Sequence, residues 1–369
     1  MVVLTRRRTV ATVEADRVPG GLMGGGMHIV FLETEAWEEK YLKDRLSDHE
    51  LQFFHGTVTD STLERTKAAD VLSPFIYSRV NASAVQALEN LKLVATRSTG
   101  FDHIAVGECT KRGIAVANVP SYGENTVAEH AFALILTLSR HMYQACLNRI
   151  ESDFSAHELT GFDLKDKTVG VVGTGRIGLH VVRIARGFGM RVVAFDVQPN
   201  DLLAEVLGFE YMSLERVLAE SDILSLHVPY NKATHHLMDA DKFAMMKRSA
   251  YLINTARGGV VDQRALLDAL DDGTLAGAGL DVLEGEEYIK EEKAVLTDAN
   301  RAEALGSVGQ NALILRRKNV VYTPHIGFNS REALVRILDT TVENITGFER
   351  GESRNIVNPD VLKGAGVGR

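Results

Sequence analysis

Three stretches of the sequence end an apolar run with side chains suited to chemistry. Arg257 follows Tyr251-Leu252-Ile253-Asn254, within Asn254-Thr255-Ala256-Arg257-Gly258-Gly259, and His325 follows Val320-Val321-Tyr322-Thr323-Pro324. Between them Gly279-Leu280-Asp281 runs into Val282-Leu283-Glu284-Gly285-Glu286-Glu287, which sets several acids just past a third run. A guanidinium is a planar cation that grips a carboxylate through paired hydrogen bonds and polarises an adjacent carbonyl, which a point ammonium does less well. An imidazole holds a proton near neutrality and can deliver it to a forming alkoxide. A carboxylate beside it favours the imidazolium and fixes its orientation. Together these types suit the reduction of a 2-oxo acid.

A second constellation precedes them. Thr168-Val169-Gly170-Val171-Val172 runs into Gly173-Thr174-Gly175-Arg176-Ile177-Gly178 and then into a helical pattern over Leu179–Gly187. A glycine triplet alone is weak evidence. Set between a strand and a helix, with Asp196 closing the next apolar run eighteen residues after Gly178, it predicts a dinucleotide site. Gly173 permits the tight turn, Gly175 lets a pyrophosphate approach, and Gly178 lets the helix lie close to the sheet. The amides of Arg176 and Ile177 would face the phosphates at the helix N-terminus, where the helix dipole favours negative charge. Asp196 can accept from both ribose hydroxyls and would repel a 2′-phosphate. Val197-Gln198-Pro199 supplies no arginine to compensate, so the expected cofactor is NAD rather than NADP.

The elements that must position these groups alternate strand and helix, the pattern of parallel sheets covered by helices. His28–Leu32, Leu51–His55, Val71–Tyr77, Leu93–Arg97 and Ile114–Asn118 read as strands of a first series. Thr168–Val172, Arg191–Phe195, Ile223–His227, Tyr251–Asn254, Gly277–Asp281 and Val320–Thr323 read as a second. Between the series one long helix is expected over Thr126–Arg149, with an apolar centre that needs burial on more than one side. A last amphipathic helix is expected over Ser330–Arg350. Glu284–Arg317 reads as a long charged excursion, functional or mobile rather than inert.

The chain has 369 residues, room for two ordinary domains, with 45% hydrophobic and 24% charged residues. A formal net charge of -8 opposes nucleic-acid and anionic-membrane partners, which demand excess Lys and Arg. Cys109 and Cys146 form no CxxC pair and read as idle thiols in a reducing cytoplasm. No apolar run approaches the roughly 20 residues of a membrane span. Residues 1–26, with Arg6-Arg7-Arg8 and two glycine clusters, read as a disordered leader. His227, His235 and His236 lack metal-ligand spacing, so no metal is expected, and His130 reads as a helix-packing residue.

The chain resembles the D-isomer-specific 2-hydroxyacid dehydrogenase family, and its bacterial D-lactate dehydrogenase-like branch in particular, from Met27 to about Pro359. The resemblance is carried by Ser98-Thr99-Gly100-Phe101-Asp102, Val127-Ala128-Glu129-His130, the glycine turn, His227-Val228-Pro229, Asn254–Gly259, Leu280-Asp281-Val282 and Thr323-Pro324-His325. It implies an α/β architecture of two doubly wound parallel-sheet domains with a cleft between them. One is a flavodoxin-like substrate domain over 27–123 and 326–359, the other a Rossmann NAD domain over 124–325, with a flexible tail over 360–369. It implies Arg257 as substrate clamp, which also touches the cofactor, and His325 as acid/base. The family's spacing of five from Asp281 implies Glu286, among its neighbouring acids, as the partner of His325. Asp281 would contact the nicotinamide side, Val228, Pro229 and Thr234 the adenosine half, and Thr255 and Ala256 the nicotinamide ribose. Backbone amides near Thr99 and Gly100, with Tyr77, would hold substrate. The implied activity is NAD-dependent reduction of a small 2-oxo acid, pyruvate foremost, to its D-2-hydroxy acid by a cytoplasmic homodimer. Ala105 departs from the family where an acid often caps the next helix. Rivals are an NAD-sensing regulator, opposed by the acidic balance, and formate dehydrogenase, which pairs its histidine with Gln where this chain has Glu286. Phosphoglycerate oxidation is disfavoured because Tyr77 stands where a phosphate-binding Arg would be expected.

Overall fold

The computed structural model describes residues 26–150, 159–286 and 301–363. They divide into two compact units, 26–122 with 334–363, and 123–333.

In the first unit β1 (His28–Phe31), β2 (Glu50–Phe53), β3 (Val71–Ser73), β4 (Leu93–Ala95) and β5 (Ala115–Ala117) form a parallel sheet in the order β2-β1-β3-β4-β5. Successive side chains of a strand leave opposite faces, so an uninterrupted apolar run serves a sheet covered on both sides. β1 shows this directly. Ile29 and Phe31 join Met27, Leu42 and Leu93 on one face, while Val30 and the following Leu32 join Val85, Leu88 and Val116 on the other. Leu338, Ile345 and Phe348 of the helix Arg331–Glu349 complete the first of these faces.

The second unit holds β6 (Thr168–Val172), β7 (Arg191–Phe195), β8 (Glu210–Tyr211), β9 (Ile223–Leu226), β10 (Tyr251–Asn254), β11 (Gly277–Leu280) and β12 (Val320–Tyr322). All pair in parallel, in the order β8-β7-β6-β9-β10-β11-β12. The order reverses direction between β6 and β9, and crevices at such switch points hold the ligands of doubly wound sheets. Val169 and Val171 pack with Ala131 and Ile135 of the helix Glu124–Ser139, whereas Val172 faces Leu226 and Leu266 on the other side.

Several elements differ from the sequence expectation. The long helix over Thr126–Arg149 is two helices, Glu124–Ser139 and Met142–Ile150, broken where His141 takes φ 48 and donates its amide to Leu138 O. The first buries residues along its length; the second buries none. β3 stops at Ser73 because Pro74 follows and the amides of Phe75 and Tyr77 donate to the Glu33 carboxylate instead of a ladder. The two-residue edge strand β8 is too short to leave a periodic signal. Of the excursion Glu284–Arg317, residues 301–315 form a helix, anchored by Asn311, whose side chain meets Gln263 and Glu284 O. In the expected tail, Asp360–Lys363 is a helical turn with Val361 buried. Residues 326–333 group with the second unit rather than the first, because the Asp281 carboxylate binds the amides of Ile326 and Gly327. Residues 1–25 of the expected leader, residues 287–300 of the excursion and residues 364–369 lie outside the described residues. The helix Val106–Lys111 starts at Ala105 with no side-chain cap, an absence worth about 1 kcal/mol.

Candidate active site

The glycine turn forms at the end of β6. Gly173 sits at φ 95, where a Cβ would meet His227 O at 2.6 Å, and a Cβ on Gly178 would meet Gly173 O at 2.0 Å. Among the described residues nothing stands within 4 Å of a Cβ built on Gly175, which leaves its backbone open to a close ligand. The helix Arg176–Gly187 starts there, and Ile177 packs against the core beneath. The Arg176 side chain extends to Glu124, 3.2 Å away. At the end of β7 the Asp196 carboxylate accepts from the Thr174 amide at 2.6 Å, the Thr174 hydroxyl at 3.0 Å and the Gln198 amide at 2.9 Å. Desolvation pushes its pKa up, but these bonds and one from the Val197 amide outweigh it and hold the group below the usual carboxylate range. After β9, Val228 is half-buried and the Thr234 hydroxyl donates to Pro229 O at 2.6 Å, closing a turn.

β10 ends in a loop organised by Asn254. Its side-chain oxygen accepts from the Ala256 amide at 3.0 Å and its nitrogen donates to Arg257 O at 3.0 Å. Half-buried Arg257 donates from Nη1 to Ala256 O at 2.8 Å. The buried Thr255 hydroxyl beside it has no partner among the described residues. A buried unpaired hydroxyl costs on the order of 1–3 kcal/mol, so this atom suits a ligand hydroxyl, and with the space above Gly175 it fits a nicotinamide dinucleotide. Gly258 presses on the next segment so closely that a Cβ would stand 2.1 Å from Leu283 C. Only glycine permits that approach.

His325 takes φ 56, a backbone state that side chains rarely adopt. Its amide donates to Asp281 O at 2.8 Å, its Nδ1 lies 2.6 Å from Glu286 Oε1, and Phe328 meets its ring edge-on at 6.4 Å. Arg257, Glu286 and His325 thus stand beyond the ends of β10, β11 and β12 of one sheet. Asp281 holds the histidine loop in shape. Its buried carboxylate accepts from the Thr323 hydroxyl at 2.6 Å and from the Ile326 and Gly327 amides at 2.9 and 2.8 Å. His130 Nε2 lies 2.8 Å from the Thr323 hydroxyl and 3.3 Å from Asp281 Oδ1. Desolvation raises the Asp281 pKa, but the bonds from His130, Thr323 and Ile326 prevail and lower it. The sequence reading gives His130 to helix packing; with Asp281 it belongs to this brace. The motif ending in His130 was visible, but its partner Thr323 lies 193 residues away, and only the fold brings them together.

In the first unit, Tyr77 is exposed and its amide donates to Glu33 Oε2 at 3.0 Å. The Thr99 hydroxyl donates to Val119 O at 2.7 Å and Thr99 O accepts from Asn118 at 2.8 Å. Gly100 O accepts from Ser98 at 2.6 Å. The amides of Thr99 and Gly100 meet no acceptor among the described residues.

A parallel sheet with a glycine turn at its switch point, an acid closing the next strand, and an Arg beside a Glu–His pair at neighbouring strand ends define a nicotinamide-dinucleotide oxidoreductase. Residues 132–327 match the NAD-binding domain of the D-isomer-specific 2-hydroxyacid dehydrogenases. The chain is 38% identical over 306 residues to a glyoxylate reductase of Korarchaeum cryptofilum, covering 82% of this chain and 86% of that one. It is 32% identical over 335 residues to the D-lactate dehydrogenase of Escherichia coli, covering 89% and 98%. A solved D-lactate dehydrogenase from Aquifex aeolicus, complexed with NAD and lactic acid, superposes with a TM-score of 0.78 at 36% identity, covering 91% of this chain and 98% of that one. The chain belongs to the D-isomer-specific 2-hydroxyacid dehydrogenase family, and is an NAD-dependent enzyme of it.

Proposed function

We propose that the enzyme reduces pyruvate to D-lactate, with Arg257 as substrate clamp, His325 as proton donor and Glu286 as the group that orients the donor. The observation that carries this is the 2.6 Å contact between His325 Nδ1 and Glu286 Oε1, beside a segment on which the Arg257 loop packs. NAD, when bound, supplies or takes the hydride at the substrate C2. The Arg257 guanidinium grips the substrate carboxylate in two parallel bonds and polarises the carbonyl. His325 gives its proton to the carbonyl oxygen as the alkoxide forms, and the carboxylate on Nδ1 leaves Nε2 for that delivery. The amides of Thr99 and Gly100, which meet no acceptor among the described residues, and Tyr77 are our further candidates for substrate binding, on the resemblance. For the cofactor we assign Gly173, Gly175, Gly178 and the amides of Arg176 and Ile177 to the pyrophosphate, and Asp196 to the adenosine ribose. Val228, Pro229 and Thr234 take the adenosine side. Thr255 and Ala256 take the nicotinamide ribose, and Asp281 the nicotinamide side.

We take the substrate to be small, on the bulk of Phe75, Ile76, Tyr77 and Phe101. A methylene more or less in an apolar pocket shifts discrimination by only about 1–3 kcal/mol, and a relative is a glyoxylate reductase, so glyoxylate and hydroxypyruvate are the second reading. A panel of 2-oxo acids with NADH, followed by chiral chromatography of the pyruvate product, tests both. D-lactate with the highest kcat/KM on pyruvate is expected; L-lactate, or turnover of phosphorylated acids alone, defeats the proposal.

We place the enzyme in the cytoplasm as a homodimer. Two free thiols and a net charge of -8 support the first. Among the described residues no helix is long and apolar enough to cross a membrane. The helix Met142–Ile150 supports the second, since it exposes Met142, Tyr143, Leu147 and Ile150, a patch of the kind that marks association.

A further inference from the structure

The loop after β9 carries two adjacent histidines that neither the glycine turn nor the Arg257–His325 group uses. His235 is exposed and His236 half-buried, and their rings stack with centroids 3.8 Å apart. Glu284 comes to them from the segment after β11, its Oε2 3.0 Å from His236 Nε2. One ligand atom from each of His235, His236 and Glu284 lies within 4.8 Å of the others. Spacing along the chain gave no hint of this, because the carboxylate arrives from 48 residues away. Outer partners are also in place: the Tyr230 hydroxyl is 3.1 Å from His235 Nδ1, and Asp262 Oδ2 is 4.0 Å from His236 Nδ1. His236 is fixed at φ 50, with its amide donating to Gly259 O at 2.9 Å.

We propose that His235, His236 and Glu284 bind a divalent transition-metal ion, zinc in the first instance, and that occupancy slows the enzyme. Two imidazoles and a carboxylate with one position left to water are a donor set that zinc accepts. Magnesium and calcium prefer oxygen alone. Zinc–ligand bonds of about 2.0–2.2 Å set tetrahedral donors roughly 3.4 Å apart, so the cluster closes by at most about 1.4 Å. Exposed His235 has the freedom to make that turn, and the ion reaches it from solvent. Tyr230 and Asp262 orient the rings as outer partners orient metal-bound histidines. The effect on turnover follows from packing. Gly258 abuts Leu283 and Glu284 with no space for a Cβ, and Glu284 O is held by Gln263 and Asn311. A pull on the Glu284 carboxylate therefore strains the segments that carry Arg257 and Glu286. That inhibitory link rests on the roles proposed for those two residues; binding of the ion does not.

The test is calorimetric titration of zinc chloride into chelator-stripped full-length protein, with dehydrogenase assays on the same samples. One ion per chain is expected. His235→Ala and His236→Gln should each abolish measurable binding, and Tyr230→Phe should weaken it roughly tenfold. His325→Ala and Cys146→Ser, which remove other accessible donors, should leave it unchanged. Turnover should fall with added zinc, return with a chelator, and resist zinc in His235→Ala. Absence of binding to the parent protein, or unaltered affinity in His235→Ala, overturns the site. Stoichiometric binding with turnover untouched overturns the inhibitory link and leaves the site standing.

Discussion

At Arg257 the geometry of the charge matters more than its presence. Arg257→Lys keeps the cation but cannot make two parallel bonds to a carboxylate, so kcat/KM for pyruvate should fall roughly 10–100-fold, the worth of a charged hydrogen bond. Steady-state kinetics decide it, and near-normal efficiency would remove Arg257 from the site. The partner of His325 is tested by substitution. Glu286→Gln keeps the shape of the side chain but turns the carboxylate that meets His325 Nδ1 at 2.6 Å into a neutral amide, so kcat/KM for reduction should fall roughly 10–100-fold, the worth of a charged hydrogen bond. Near-normal efficiency would point to a neighbouring acid. Glu284 is not an attractive substitute, since its carboxylate is engaged by His236 at 3.0 Å.

The histidine loop is an element held from below, and its anchor titrates. Asp281 has a folded pKa below its ordinary value. Its stabilising contribution is therefore complete above the unfolded carboxylate range near pH 4 and is lost as pH falls through the lower folded value. Asp281→Asn should lower the midpoint of denaturant unfolding at pH 7 and flatten its decline into acid; an unchanged acid limb would show that other carboxylates govern it. The sequence made the strand ends legible because β10, β11 and β12 each finish in an uninterrupted apolar run, and the glycine turn because close packing leaves no substitute at Gly173 or Gly178. It did not make the brace legible. His130, Asp281 and Thr323 are scattered along the chain, and nothing local marks a carboxylate that will bind the amides of a distant loop. The break at His141 was hidden for a similar reason, since the apolar pattern of Glu124–Ser139 continues into Met142–Ile150 although the second helix buries nothing. The pairing of His325 with Glu286 was legible only because the family's spacing chose among three acids.

For the whole molecule, the exposed face of Met142–Ile150 predicts association. Leu147→Glu with Ile150→Glu should shift sedimentation from dimer to monomer with the fold intact by circular dichroism; an unaltered coefficient would place any interface elsewhere. Chain order has a separate consequence, which concerns synthesis. The first unit needs Leu338, Ile345 and Phe348 to cover Met27, Ile29 and Phe31, and the whole second unit, 123–333, is translated between those two sets. At about 5–20 residues per second, that interval is on the order of 10–40 s. For its duration the nascent protein presents a finished parallel sheet with one apolar side covered in part only, by Leu42 and Leu46. The contiguous second unit can fold as it emerges. The first waits for its closing helix, and a ribosome stalled before residue 334 would release a chain primed to aggregate.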